Sequence, residues 1–295
     1  MIPGSNILIL GKGGQLSNAL AALLGTRATF IGQDEADFMD ADFTGKLEAL
    51  TRNETFACVI NAAAYTAVDT AETGGKEQAM RINGAAVGEL AAWCKKRALP
   101  LVHYSTDYVF DGSGERPWRE TDTPHPLNAY GQSKREGERL LAATGGEYLL
   151  FRTSWLYDAT GKNFFTTIRR LLREKESLNV VADQIGAPTY VPHLALATLQ
   201  ALSGIPQWGI YHLCNAGETS WHGFASAIFA HERAQAAIKC QSVNPIPTSA
   251  YPLPAPRPRN SRLDCTRAKE RLGIAMPDWE DGLRTCFESK HEQAV

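Results

Sequence analysis

Tyr130 and Lys134 stand four residues apart in the stretch Tyr-Gly-Gln-Ser-Lys, a spacing that puts a phenol and an ammonium on one face of a helix. Against a bound nicotinamide, the ammonium would favour phenolate and lower the phenol's pKa, and the phenol would hand a proton to a substrate oxygen. That is the chemistry of a reductase's acid. A surface Tyr beside a solvated Lys shows the same spacing, so the pair gains meaning only from the elements that present it. Asn128 is a suitable N-cap for this helix and Gly145-Gly146 a suitable stop. Thr106 follows an apolar run at 101–104, and its hydroxyl could donate to a carbonyl oxygen that gains negative charge.

The elements that must carry these residues read as a regular alternation. Residues 6–10, Asn-Ile-Leu-Ile-Leu, are apolar after the first position, as in a strand buried on both faces of a parallel sheet. Gly11, Lys12, Gly13, Gly14, Gln15 and Leu16 then form a glycine-rich turn leading through Ser17 into an Ala/Leu-rich helix at 18–24. Strand, glycine turn and helix in that order let a backbone approach a pyrophosphate at a helix N-terminus. Further strands are expected at 28–31, 56–60, 101–104 and 148–152, with helices at 43–51, 77–97 and 129–144 between them. Gln33 stands where an acid would bind the ribose of NAD, which permits a 2′-phosphate, although Asp34 is adjacent. Ala62, Ala63 and Ala64 leave room for a cofactor at a strand end, and Tyr65 follows them.

The fold class these signals define is α/β, a Rossmann-type doubly wound parallel sheet with a smaller, mixed C-terminal region. The expected division is a dinucleotide-binding domain over 1–155, also receiving elements from about 178–215, and a second region over 156–177 and 216–295. Helices are expected at 163–173, 194–202, 222–230 and 266–272, with a short tail after Trp279. Six prolines between Pro245 and Pro258 mark an extended lid or strap. The net charge is −2 with alternating signs, so no nucleic-acid footprint or membrane-binding patch is expected. Six scattered Cys without a Cys-x-x-Cys pair suggest neither zinc nor a disulfide framework. No basic leader precedes the first apolar run and no span of eighteen apolar residues occurs, so the expected location is the cytoplasm.

The glycine turn, Thr106 and the Tyr130–Lys134 pair resemble the extended short-chain dehydrogenase/reductases. The match narrows through Asn-Ala-Ala-Ala-Tyr-Thr-Ala-Val-Asp at 61–69, Ser-Thr-Asp-Tyr-Val-Phe-Asp-Gly at 105–112 and Arg-Thr-Ser-Trp at 152–155. With Asp-Gln-x-Gly-x-Pro-Thr at 183–189 and Arg-Pro-x-Asn-Ser-x-Leu at 257–263, these segments are similar to the dTDP-4-dehydrorhamnose reductases. The resemblance implies reduction of a 4-keto sugar nucleotide by NADPH, with NADH possible. It gives Tyr130 the role of proton donor to O4, Lys134 that of holding the nicotinamide ribose, and Thr106 that of bonding the same oxygen. Residues 11–16 would hold the pyrophosphate, Asp42 and Phe43 the adenine, and Ala62–Ala64 with Tyr65 the ribose and nicotinamide. Asp107, Tyr108, Trp155, Asn163, Trp221 and Arg257 would line the substrate pocket, the Arg257 fork suiting a diphosphate.

Members whose dimers are bridged by magnesium carry glutamates where Ala19 and Pro192 stand here, so a metal-bridged dimer is doubtful and a monomer or other homodimer is expected. Related 4,6-dehydratases place Glu after the Thr-Asp pair, whereas Tyr108 stands here, which favours reduction over elimination. A 4-epimerase or a non-catalytic regulatory subunit on the same fold remains the alternative.

Overall fold

The computed structural model describes residues 6–204, 207–235 and 237–289. Residues 1–5, on which the expectation about a leader rests, lie outside them. Strands β1 (Asn6–Leu10), β2 (Ala28–Ile31), β3 (Phe56–Asn61), β4 (Leu101–Thr106) and β5 (Tyr148–Thr153) join Gly209–His212 in one six-stranded sheet. Every pairing is parallel, and the order runs from Gly209–His212 through β5, β4, β3 and β1 to β2. Because the chain leaves β1 for β2 on one side and then crosses to β3 on the other, a crevice opens at the carboxyl ends of β1 and β3.

The continuous apolar runs follow from burial on both faces. Ile7, Ile9, Cys58 and Ile60 pack against the helices Gln15–Leu24 and Val191–Ser203. Leu8, Leu10 and Val59 pack on the other face against Phe43–Thr51 and Ala86–Lys96. A separate apolar core gathers Tyr157, Phe165, Ile168, Leu178, Phe224 and Trp279, from elements that follow β5.

Three expectations need correction. The single helix at 77–97 is broken into Lys76–Ala79, a π-helical turn Met80–Ala85 and Ala86–Lys96. Here buried Asn83 turns its amide outward from the helix: its Oδ1 accepts from Tyr65 N and its Nδ2 donates to Tyr65 O and Ser133 Oγ. The tail after Trp279 is a helix, Trp279–Glu288, opened by Asp278, whose carboxylate accepts from Glu280 N at 3.0 Å. The proline-rich segment begins as a strand, Ser242–Ile246, paired in parallel with Ser177–Val181, with Pro245 opposite Val180 at a two-stranded edge where its missing N–H is tolerated.

The Tyr130 helix, Ala129–Ala143, is the element most firmly tied to the sheet. Asn128 caps it through Oδ1 accepting from Gly131 N at 2.8 Å, while its Nδ2 donates to Pro256 O of the strap. Two turns on, Glu138 receives both arms of the Arg152 guanidinium at 2.8 Å, and both residues are buried. His212 beside them is held neutral, its pKa pushed down to about 3 by burial and by the Arg152 charge. Removing the carboxylate leaves Arg152 uncompensated in the interior. We expect Glu138→Gln to cost roughly 3–5 kcal/mol of folding stability, the range for breaking a buried ion pair; chemical denaturation of the variant against wild type measures it, and a loss below about 1 kcal/mol would refute the assignment.

Candidate active site

The glycine turn closes against the end of β3. Gly11 has φ +100°, and a Cβ there would lie 2.6 Å from Ala63 N, so glycine is demanded by both conformation and space. Ser17, in place of a third glycine, donates from Oγ to Gly11 O at 2.7 Å and so ties the turn to the helix it opens. The helix Gln15–Leu24 has Gly14 at its N-cap and no side chain capping it, which leaves its first N–H groups available to an anion. Beside this turn lies a cleft of about 260 Å³ lined by Gly11, Lys12, Gly14, Gly32, Gln33, Asp37, Phe38 and Ala62–Ala64. Gly13 has φ +84° and borders open space.

A second cavity, about 520 Å³, continues from Gly14, Gln15 and Leu16 past Ala62–Ala64 to Thr106, Asp107, Tyr130, Lys134, Trp155, Lys162 and Asn163. A third cavity of about 520 Å³ carries Tyr108, Phe164, Trp221, Gln184, Thr248 and Arg257, together with the strap residues Tyr251 to Pro256. The second and third meet along a partition. Trp155 of one stacks on Trp221 of the other with ring centroids 3.6 Å apart, and the Tyr108 ring stands edge-on to Tyr130 at 5.9 Å.

The reactive groups are buried and close. Lys134, Thr106 and Asp107 are almost sealed from solvent, and Tyr130 is partly buried beside them. The pKa of the Tyr130 phenol is raised, first by burial and then by the Asp107 charge, against a lowering influence from the Thr106 hydroxyl. The expected acidification by Lys134 is therefore absent without a ligand: the Lys134 Nζ donates to Tyr104 O at 2.5 Å. Burial lowers the ammonium pKa to about 8, against a raising influence from Glu138. Asp107 is pushed up to about 6 by burial; Oδ1 accepts from Thr106 Oγ1 at 3.0 Å. Ser105 Oγ and Thr153 Oγ1 are buried without hydrogen-bond partners, and Ser105 and Thr153 also line the second cavity. A glycine cradle at an uncapped helix end, leading to such polar atoms, fits a dinucleotide whose nicotinamide end reaches Tyr130.

Not every expected residue joins this site. Phe43 is fully buried, packed on Phe38 with ring centroids 4.8 Å apart, and Asp42 is exposed; neither lines the adjacent cleft. Asp37 and Phe38 do, because the loop after β2 folds back over that end. Tyr65 faces away too, packing with Ala71, Ala79 and Tyr130. Asn163 borders the cavity, but its amide is committed: Oδ1 accepts from Thr166 N, and Nδ2 donates to Gln15 Oε1 and to the carbonyls of Asp158 and Thr160. Arg257 donates two arms to Asp69 and one to Ala255 O, so its fork is occupied. Thr153 and Lys162 were not anticipated as cavity residues. The register Thr106 to Thr153 places Thr153 there, and no local pattern encodes that pairing.

Fold and site together define an NAD(P)H-dependent oxidoreductase built on a Rossmann sheet. A family model described as the RmlD substrate binding domain matches residues 5–291. A dTDP-4-dehydrorhamnose reductase of Burkholderia thailandensis is 47% identical over 297 residues, covering 95% of this chain and 97% of that one. The reductase of the same name from Escherichia coli is 38% identical over 290 residues, 95% and 96% of the two chains. The crystal structure of a Bacillus anthracis dTDP-4-dehydrorhamnose reductase in complex with NADP superposes with a TM-score of 0.89 at 33% identity, over 97% and 99% of the two chains. The chain belongs to the dTDP-4-dehydrorhamnose reductase family.

The burial of Asp107 has a measurable cost. A carboxyl whose folded pKa is raised from 3.8 to about 6 destabilises the ligand-free fold fully above pH 6, and the penalty is relieved as pH falls toward 3.8. Asp107→Asn should raise the unfolding free energy at pH 7 by about 1–3 kcal/mol, with the gain shrinking below pH 6. Denaturant melts at several pH values test this; a variant less stable than wild type at neutral pH would contradict it.

Proposed function

We propose that the protein transfers hydride to C4 of dTDP-4-dehydro-L-rhamnose and protonates O4, yielding dTDP-L-rhamnose, with NADPH or NADH as reductant. The observation that carries this is the convergence of Thr106, Tyr130 and Lys134 in one buried cavity that begins at the glycine turn. Gly11, Gly14, Gln15 and Leu16 hold the dinucleotide's pyrophosphate, and Ala62–Ala64 leave space for its ribose. Bound there, the dinucleotide supplies the hydride. Tyr130 delivers its proton to O4, while Thr106 donates a hydrogen bond to the same oxygen. A phenol kept protonated by burial suits a donor. Lys134 leaves the Tyr104 carbonyl for the ribose hydroxyls, where its charge then assists the phenol.

Asp107 accepts from a sugar hydroxyl through its carboxylate, and Tyr108 excludes elimination chemistry by standing where a general base would be needed. The nucleotide portion occupies the third cavity, which residues from 156–177 and 216–295 line together with Tyr108, Leu178, Asn179, Val180, Val181 and Gln184. Reaching both cavities requires the Trp155–Trp221 stack to part and Arg257 to exchange Asp69 for the diphosphate. Ala19 and Pro192 offer no carboxylate, and a magnesium bridge has no place in this reading. The protein acts as a monomer or a homodimer without metal. Six cysteines that form no disulfide among the described residues suit the reducing cytoplasm, where we place it.

The purified protein should oxidise NADPH only when the 4-keto sugar nucleotide is supplied, and Tyr130→Phe should lower kcat by about 10²-fold or more. Full turnover in that variant, which keeps the ring against Tyr108, would sink the mechanism. Dinucleotide affinity should weaken as pH rises through about 8, where Lys134 loses its proton; a flat titration between pH 7 and pH 9 would remove Lys134 from the ribose site.

A further inference from the structure

We propose that Lys162, reaching from the loop after β5, is the cation that holds the pyrophosphate of the dinucleotide against the glycine turn. The inference rests on the dinucleotide reading of the site and adds a residue that no motif marks. The loop at 158–163 is closed on itself, since Asn163 Nδ2 donates to the carbonyls of Asp158 and Thr160 at 2.9 Å each. It is then fixed to the cofactor turn by the Asn163 Nδ2 donation to Gln15 Oε1 at 3.1 Å. A Cβ at Gly161 would lie 3.7 Å from Gln15 Cγ, so the loop backbone lies directly on that side chain. Lys162 consequently borders the same cavity as Gly14, Gln15 and Leu16.

Charge balance gives the position its meaning. A pyrophosphate brings two negative charges to a turn whose own contributions are neutral N–H groups. Lys12 is paired with Glu35 at 3.7 Å, and the Lys134 ammonium is deep in the cavity on the Tyr104 carbonyl. Lys162 is exposed, and among the described residues no acid lies within ion-pair distance of it. Asp158, in the same loop, spends Oδ1 on Ala159 N. A long, exposed ammonium without an acidic partner among the described residues therefore borders the cavity that begins at the glycine turn, where a charge-assisted hydrogen bond to a phosphate would form. Because it belongs to the lobe beyond β5, its contact would also draw that lobe onto the cofactor.

Binding of NADPH and of NADH to the full-length protein, followed by calorimetry without sugar nucleotide, tests the assignment. Lys162→Met should raise both dissociation constants by about tenfold and by the same factor, since the pyrophosphate is common to the two. Its affinity should also depend less on salt than that of wild type. Lys162→Arg, which keeps the charge, should stay within about threefold of wild type. Unchanged affinity in Lys162→Met overturns the proposal, and so does a loss confined to NADPH, which would place the ammonium at the 2′-phosphate. If wild type binds neither dinucleotide, the cofactor reading itself fails. Thermal melting of the ligand-free variants at the wild-type temperature excludes a folding defect.

Discussion

A primary ammonium sealed inside the protein is the constraint around which the site is built. Lys134 gives up water for one carbonyl, that of Tyr104 at the end region of β4, and its lowered pKa records the imbalance. Such a group persists only where neighbouring structure holds it. The Tyr130 helix is accordingly pinned at three levels: Asn128 at its start, Ser133 against Asn83 in its middle, and Glu138 on Arg152 further along. With those ties in place, the helix cannot turn Lys134 back to solvent. An ammonium with this single carbonyl partner is poorly satisfied by the protein around it.

The same logic extends to the other buried polar atoms. Asp107 Oδ2, Ser105 Oγ and Thr153 Oγ1 lack partners among the described residues, and Ser105, Asp107 and Thr153 all border the catalytic cavity. Structures seldom leave such groups unpaired without a reason. These unpaired polar atoms give the cavity wall hydrogen-bonding capacity that the fold itself does not use.

The two cores separate these tasks. The sheet and its helices carry the glycine turn, whereas the second core around Phe165, Phe224 and Trp279 carries part of the wall of the third cavity. Between them lie the Trp155–Trp221 stack, the Arg257–Asp69 pair and the strap resting on Asp183 through Thr248. Trp155 also adopts φ +50°, a conformation uncommon for a bulky side chain and costly enough to need support from its surroundings. Strain and mutual stacking thus meet at the partition between the two cavities.

Much of the frame was legible in order along the chain, because buried parallel strands and glycine turns are local signals. Strands 28–31 and helices 43–51 and 266–272 coincide with the observed elements, since short apolar runs and caps determine them. The pairing of Tyr130 with Lys134 and the turn at Gly11 were equally visible, as both depend on spacing within a few residues. What the chain alone could not decide were contacts between distant segments. Phe43 turned inward because Phe38 covers the cleft, Arg257 met Asp69 across the fold, and Thr153 reached the cavity through its register with Thr106. The broken helix at Met80–Ala85 belongs to the same class: Asn83 satisfies a strand-end backbone far away in sequence, and that demand outweighed helical periodicity. Local patterns thus determined the sheet and the proton donor, while tertiary packing decided the donor's protonation and the partners of the charges around it, because burial and long-range pairing set those energies.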